Sequence, residues 1–158
     1  MKTGSTSLAN CKFGSTQIQK IMQGVNTIWE NWVKKSGTYF TTTLEFAMNG
    51  TSTLTSTSST FTAVKPTKLM FNWAIHGRDW VVTHSITIQG LTESGTWVNI
   101  WYGERDIDGG GEDCWYVYND VVSVSVSEPI KQLRSITSGR YWAHTQTIKI
   151  TEWYQKGN

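Results

Sequence analysis

Two short stretches of this sequence set aromatic rings beside hydrogen-bonding groups: His76-Gly77-Arg78-Asp79-Trp80 and Arg140-Tyr141-Trp142-Ala143-His144. The chemistry on offer is recognition of a sugar. The C–H face of a pyranose stacks on an aromatic ring, while Arg, Asp and His hold its hydroxyls by hydrogen bonds. The candidate glycan-binding residues are therefore His76, Arg78, Asp79, Trp80, Arg140, Tyr141, Trp142 and His144. A structural reading competes and weighs more on the residues alone. In it Trp80 and Trp142 plug the ends of a β-sandwich, and Arg78 and Arg140 pair with acids.

Catalysis is not expected. A glycosidase needs two carboxylates facing each other across a cleft, whereas the acids here gather at Glu104, Asp106, Asp108, Glu112 and Asp113, in a Gly-rich loop. Such a loop is too flexible to hold a carboxyl pair in place without support. No Gly-x-Ser-x-Gly elbow and no phosphate-binding loop occurs, and His76, His84 and His144 lack metal-ligand spacing. Asp106, Asp108, Glu112 and Asp113 offer carboxylate oxygens to a calcium ion, but not with the spacing and terminal Glu of a helix-loop-helix site. A solvated hairpin loop is expected there, with no metal and no cofactor.

Nucleic acid is an unsuitable partner. Of 158 residues only 16% are charged, the net charge is +2, and no basic run exceeds Lys34-Lys35; nucleic-acid binding needs a dense basic footprint. Nine Trp, six Tyr and five Phe mark the chain out, more rings than a small core readily absorbs, so several are expected to line a surface. No apolar run reaches the length of a membrane span. The start Met1-Lys2-Thr3-Gly4-Ser5 lacks the apolar centre of a secretory signal, which points to a product made in a cytoplasm. Cys11 and Cys114 match no metal or redox spacing and are expected to be two inert thiols rather than a disulfide.

The elements that must position these groups are strands. Leu69, Phe71, Trp73 and Ile75 share one face; Val82, His84, Ile86 and Ile88 alternate with Thr83, Ser85, Thr87 and Gln89; Val122, Val124 and Val126 alternate with serines; Ile148 and Ile150 alternate with Thr147, Lys149 and Thr151. This period of two is that of strands buried on one face. Turn residues fall between them at Asn49-Gly50, His76-Gly77-Arg78-Asp79, Glu93-Ser94-Gly95, Asp108-Gly109-Gly110-Gly111 and Ser138-Gly139. Many short strands so spaced predict two packed antiparallel sheets. The Ser/Thr-rich stretch from Thr51 to Thr62 reads as an exposed or edge strand. Ile130 to Ile136, apolar at every third position after Pro129, reads equally as a short helix or an irregular strand.

The first 35 residues differ. Gly14-Ser15-Thr16-Gln17-Ile18 is echoed by Gly24-Val25-Asn26-Thr27-Ile28, a repeat that fits one turn and one strand. Residues 1–35 are thus expected to form a β-hairpin or ribbon, and 36–158 the sandwich. Two strands alone are marginal in water, so Ile21, Met22, Ile28, Trp29 and Trp32 are expected to pack on the main domain or dock on another protein.

Two resemblances follow from these residues. Phe13 to Trp29 resembles a short repeat of tailed-bacteriophage virion proteins, of the form Gly-polar-Thr-Val, Lys-Ile-Tyr, Gly-polar-Thr-Val-Trp. Met22 stands here where Tyr is usual, and Ile replaces Val. The resemblance implies a tail, baseplate, fibre or head-decoration protein. Residues 64 to 156 resemble galactose-binding-like (discoidin-type) jelly rolls through Ser85-Ile86-Thr87-Ile88-Gln89-Gly90, Gly95-Thr96-Trp97 and Ile148-Lys149-Ile150-Thr151-Glu152-Trp153-Tyr154. That family implies a β-sandwich whose end loops often hold sugars. Cys11 and Cys114 do not match its paired terminal cysteines, so no defined ligand site carries over.

The expectation is a non-enzymatic virion protein with an all-β fold, an antiparallel jelly-roll sandwich preceded by a ribbon. Its partners would be other virion proteins in a multi-copy assembly and host-surface glycan, with no membrane insertion. A carbohydrate-binding module outside any virion is the alternative, and a sandwich-fold hydrolase ranks behind both.

Overall fold

The computed structural model describes residues 12–13, 16–17, 20–23, 26–47, 51–77, 82–107, 114–140 and 143–157, with side chains described for 30–46, 53–76, 83–106, 115–139 and 144–157. Four short strands come first: β1 (Lys12–Phe13), β2 (Thr16–Gln17), β3 (Lys20–Gln23) and β4 (Asn26–Glu30). They form two antiparallel hairpins, β1 with β2 and β3 with β4. β2 lies within the first half of the sequence repeat, and β4 begins within the second.

The sandwich is built from β5 (Trp32–Ala47), β6 (Thr51–Thr57), β7 (Lys65–Gly77), β8 (Val82–Thr92), β9 (Trp97–Ile107), β10 (Cys114–Ser123), β11 (Ile130–Arg140) and β12 (Ala143–Lys156). One sheet has the order β10-β7-β12-β5 and the other β6-β11-β8-β9. All pairs within them are antiparallel. Except for β8 to β9, each successive strand crosses to the opposite sheet. That wind of eight strands over two four-stranded sheets is a jelly roll.

Alternation explains the layers. Leu69, Phe71, Trp73 and Ile75 on β7 face Ile86 and Ile88 on β8, with Leu133, Ile148 and Ile150 completing a buried interior. Side chains of this kind contribute about 1.5–3 kcal/mol each when removed from water. The stretch from Thr51 contributes β6, an edge strand as expected. Ile130 to Ile136 is strand, not helix: a register shift between Ile130 and Gln132 resets the alternation. The bulge turns Ile130 and Leu133 both inward, which explains their three-residue spacing, whereas Ile136 falls on the other face, between the buried Ser135 and Thr137.

Two expectations on boundaries are corrected. β5 starts at Trp32 and pairs with β12 from Trp32↔Lys156 onward, so the change from ribbon to sandwich comes at Asn31, not after residue 35. β10 ends at Ser123, and Val124 and Val126 continue the half-buried alternation beyond the regular strand.

Candidate functional site

Strand registers bring the chemistry-bearing segments to one end of the sandwich. In the first sheet Gly77 pairs with Cys114, and Ala143 lies beside both His76 and Ala47. In the second, Val82 pairs with Ile107 and Arg140 with Thr51. The connections 48–50, 78–81, 108–113 and 141–142 therefore all leave strand ends at this pole. The strand ends that flank both candidate sugar-binding segments and the acidic stretch thus lie together, although far apart in sequence. Arg78, Asp79, Trp80, Tyr141 and Trp142 lie outside the described residues, as does the side chain of Arg140.

The two candidate histidines have different fates. His76 sits on the outer face of the first sheet, its ring stacked on that of Trp115 at 4.8 Å and 14°. His144 points the other way. It is 1% exposed, stacks on Phe46 at 4.7 Å, and shares a 2.9 Å hydrogen bond between its Nε2 and Gln146 Nε2. A ligand on the surface does not meet this ring, so His144 is corrected from binding residue to interior residue. Burial, and secondarily the neighbouring His84, push its pKa down to about 4.

His144 belongs to a polar layer beneath the loops, formed with His84, Ser135, Thr137 and Gln146, each at most 1% exposed. Gly139, at φ +151°, packs against the His84 ring, where an added Cβ would lie 2.6 Å from Nδ1. Ser135 Oγ and Gln146 Oε1 find no hydrogen-bond partner among the described residues. Burying such groups costs free energy that apolar side chains would not.

One side of this layer is closed by a charge pair that crosses between the sheets. Arg105 Nη2 on β9 donates to both carboxylate oxygens of Asp120 on β10, at 2.7 and 2.9 Å. The guanidinium lies 5.3 Å from the Trp73 ring centroid and 5.7 Å from that of Tyr118. Trp101 meets Trp73 edge-on at 5.6 Å and lies over Gly103. Sequence reading missed Arg105, Asp120 and Trp115. The signal was the alternation Trp115-Tyr116-Val117-Tyr118, which puts tyrosines inward and Trp115 outward.

Of the calcium candidates, Asp106 is a strand residue whose Oδ1 accepts from Thr83 Oγ1 at 2.6 Å, while Asp108, Glu112 and Asp113 lie outside the described residues. No cluster of three or more His, Cys, Asp or Glu able to hold a metal occurs among the described residues. Among them, too, no helix is long and apolar enough to cross a membrane.

At the opposite pole the chain enters from the ribbon. Asn31 O accepts from Gly157 N at 2.9 Å, and Glu30 pairs with Lys156 at 3.6 Å. Trp32 has Lys65 at 4.8 Å and Lys156 at 5.8 Å from its ring. With Tyr39, Thr62 and Glu93 it borders a depression of about 300 Å³. Trp32 thus packs within the sandwich and leaves the list of ribbon docking residues. Ile21 and Met22 lie on β3, Ile28 and Trp29 on β4, with Ile21 opposite Trp29; their side chains are outside the described residues. Cys11 is also outside them, as is the side chain of Cys114.

No family model matches the chain, and no curated protein matches it. Among solved structures it is similar to the VP2 subviral particle of infectious bursal disease virus (13% identity, TM-score 0.41, 88% of this chain and 43% of that one). It is also similar to the enzymatically active domain of bacteriophage CBA120 tailspike protein 4 (12%, TM-score 0.30, 72% and 19%). A third likeness is to TmCBM61 in complex with β-1,4-galactotriose (7%, TM-score 0.34, 80% and 88%). The chain spans about two fifths of the viral capsid proteins it resembles. At scores this low the jelly-roll assignment stands on the strand registers alone.

Proposed function

We propose that this chain is a non-enzymatic tailed-phage virion protein, a tail, fibre or head-decoration component present in many copies. Its N-terminal ribbon anchors it to other virion proteins and its jelly roll presents the loop end toward host-surface glycan. The observation that carries this reading is polarity. The ribbon joins the sandwich beside Gly157, at the pole opposite the connections that hold the candidate sugar-binding residues. A domain fixed through one pole leaves the other free for contact. The Gly-x-Thr-x-Ile repeat supports the virion setting. The engagement of Asp120 by Arg105, and of Glu152 by Lys34 and Lys68, supports a structural use of the described acids over a catalytic one.

The test compares the full chain with a form lacking residues 1–30, both checked for a cooperative melt. The full chain is expected to co-purify with particles and to be labelled on them by antibody in electron micrographs. The shortened form should fold, keep glycan-array binding and fail to join particles. If it joins particles as well as the full chain, the anchor is refuted. Glycan binding without any particle association favours a carbohydrate-binding module outside a virion. Polysaccharide hydrolysis, lost on changing one carboxylate, would overturn the non-enzymatic reading.

A further inference from the structure

Each four-stranded sheet has two edges, and an edge strand offers unpaired main-chain groups to any strand that reaches it. Three of the four edges carry recognisable protection. β5 has Lys34, Lys35 and a register shift against β12. β9 has Glu104, Arg105, Asp106 and a shift against β8. β6 is short and made almost wholly of Ser and Thr. β10 has none of these. It runs ten residues in unbroken register with β7, without Lys, Arg, Pro or Gly, and its one acid is turned inward to Arg105.

Three of its outward side chains are apolar as well, alternating with Asn119 and Ser123 at the other exposed positions. Trp115, Val117 and Val121 are 57%, 58% and 59% exposed, and with Met70 on β7 they make four of the five large exposed hydrophobic residues described. Scattered single residues of this kind need no explanation, but a row along an unprotected edge does. Among the described residues no strand pairs with the free edge of β10.

We infer that this edge pairs with the same edge of a second copy, antiparallel across a two-fold axis at Asn119. Main-chain N–H and C=O groups along a sheet edge select a strand as occupant, and the side-chain sequence selects this one. Two-fold pairing centred on Asn119 runs from Trp115 to Ser123. It sets Val117 opposite the partner copy's Val121 on both sides of the axis and the Asn119 amides opposite each other. Each contact is made twice, as an isologous interface requires, with Trp115 opposite the partner copy's Ser123 at both ends, and no charge on the outward face opposes it. The result is one continuous eight-stranded sheet. Directly opposite Cβ atoms lie about 4.5–5.5 Å apart in such a ladder, so the two valine pairs exclude water from the joint.

Sedimentation of the full chain across the micromolar range should show a mass rising to twice that of one chain. Val117→Lys combined with Val121→Lys faces ammonium with ammonium at both positions. This variant should sediment as a single chain at every concentration and melt where the parent melts at dilutions that leave it single, since both side chains point to solvent in the single chain and pairing stabilises only the associated form. Val117→Lys combined with Val121→Glu should restore the doubled mass, because the register sets the opposite charges face to face. Asn119→Cys should cross-link the pair on oxidation, while Val117→Cys, which faces valine, should not. A parent chain that stays single throughout, a doubled mass that survives the two lysines, or failure of the charge-opposed variant to restore it overturns the inference. Absence of the cross-link at position 119 overturns the register.

Discussion

The two poles of this sandwich enclose different interiors between the same two sheets. Toward the ribbon, Val64, Leu69, Ile88, Ile130, Leu133 and Ile150 form a mainly apolar layer, with Ser58 and Thr92 as buried polar side chains at its border and Trp153 covering it. Toward the loops, the inward positions pass to His84, Ser135, Thr137, His144 and Gln146, with Phe46 and Ile75 among them. Alternation runs on through this pole, from Leu133 to Thr137 and from Ile150 back to His144; only the residue types change. Departures from an otherwise consistent pattern gather where a protein does something besides fold. The apolar pole supplies stability, and the polar pole gives up some of it beneath the loops that carry the candidate binding groups.

The largest expected effect lies where the rings join the poles. Phe71 stacks on Trp73 at 5.7 Å and meets Trp101 edge-on at 4.6 Å, so Phe71→Ala should cost about 3–5 kcal/mol. Urea unfolding would show this as a lower midpoint at unchanged slope. A loss below about 1 kcal/mol would mean that the core is not continuous through this point.

Acid should separate the poles next. His144 has its pKa lowered to about 4 from an ordinary 6.5, so the unfolded chain takes up the proton first. Its stabilising contribution is complete above about pH 6.5 and fades as pH falls through about 4, a loss on the order of 3 kcal/mol. Glu152, whose pKa Lys68 and Lys34 hold below the ordinary carboxylate value, contributes stability above about pH 4.5 that is lost at more acid pH. Melting temperatures of parent and His144→Asn, measured from pH 7 to 4, distinguish the two. The variant should lose most of the upper part of the slope.

Opening the side of the polar layer should cost less. Arg105→Met leaves Asp120 without its cation, and about 1.5–3 kcal/mol should be lost. Asp120→Asn in the same background should recover part of that, which a double-mutant cycle by chemical denaturation would measure.

The smallest contrast is between two glycines. Gly37 lies at φ +119° with open space around it, whereas Gly139 lies at φ +151° against the His84 ring. Gly37→Ala should cost about 1 kcal/mol from the backbone alone, and Gly139→Ala about 2–3 kcal/mol because the ring must also move. Equal thermal shifts would mean that the polar layer is loosely packed.

Much of this was legible in the sequence. Rows such as Leu69 to Ile75 and Val82 to Ile88 disclosed both strand and buried face, because alternation is a local property of each segment. His84 fell on the buried side of its row for that reason. His144 was misplaced because it was read with the loop around Trp142. Counting back by twos from Ile150 and Ile148 through Gln146 puts it inside.

Chain order and residue type by themselves determined that this protein is made of one-sided strands joined by short turns, with a repeat ahead of them. Only the tertiary structure decided which strands share a sheet, and hence that the strand ends at Gly77, Val82, Ile107, Cys114, Arg140 and Ala143 lie at one pole while the ribbon enters at the other. It also decided that Arg105 reaches Asp120 and that β10 stands at an edge. The reason is physical: strand pairing joins residues far apart in the chain, and local patterns say which side of a strand is buried but not which neighbour it will find.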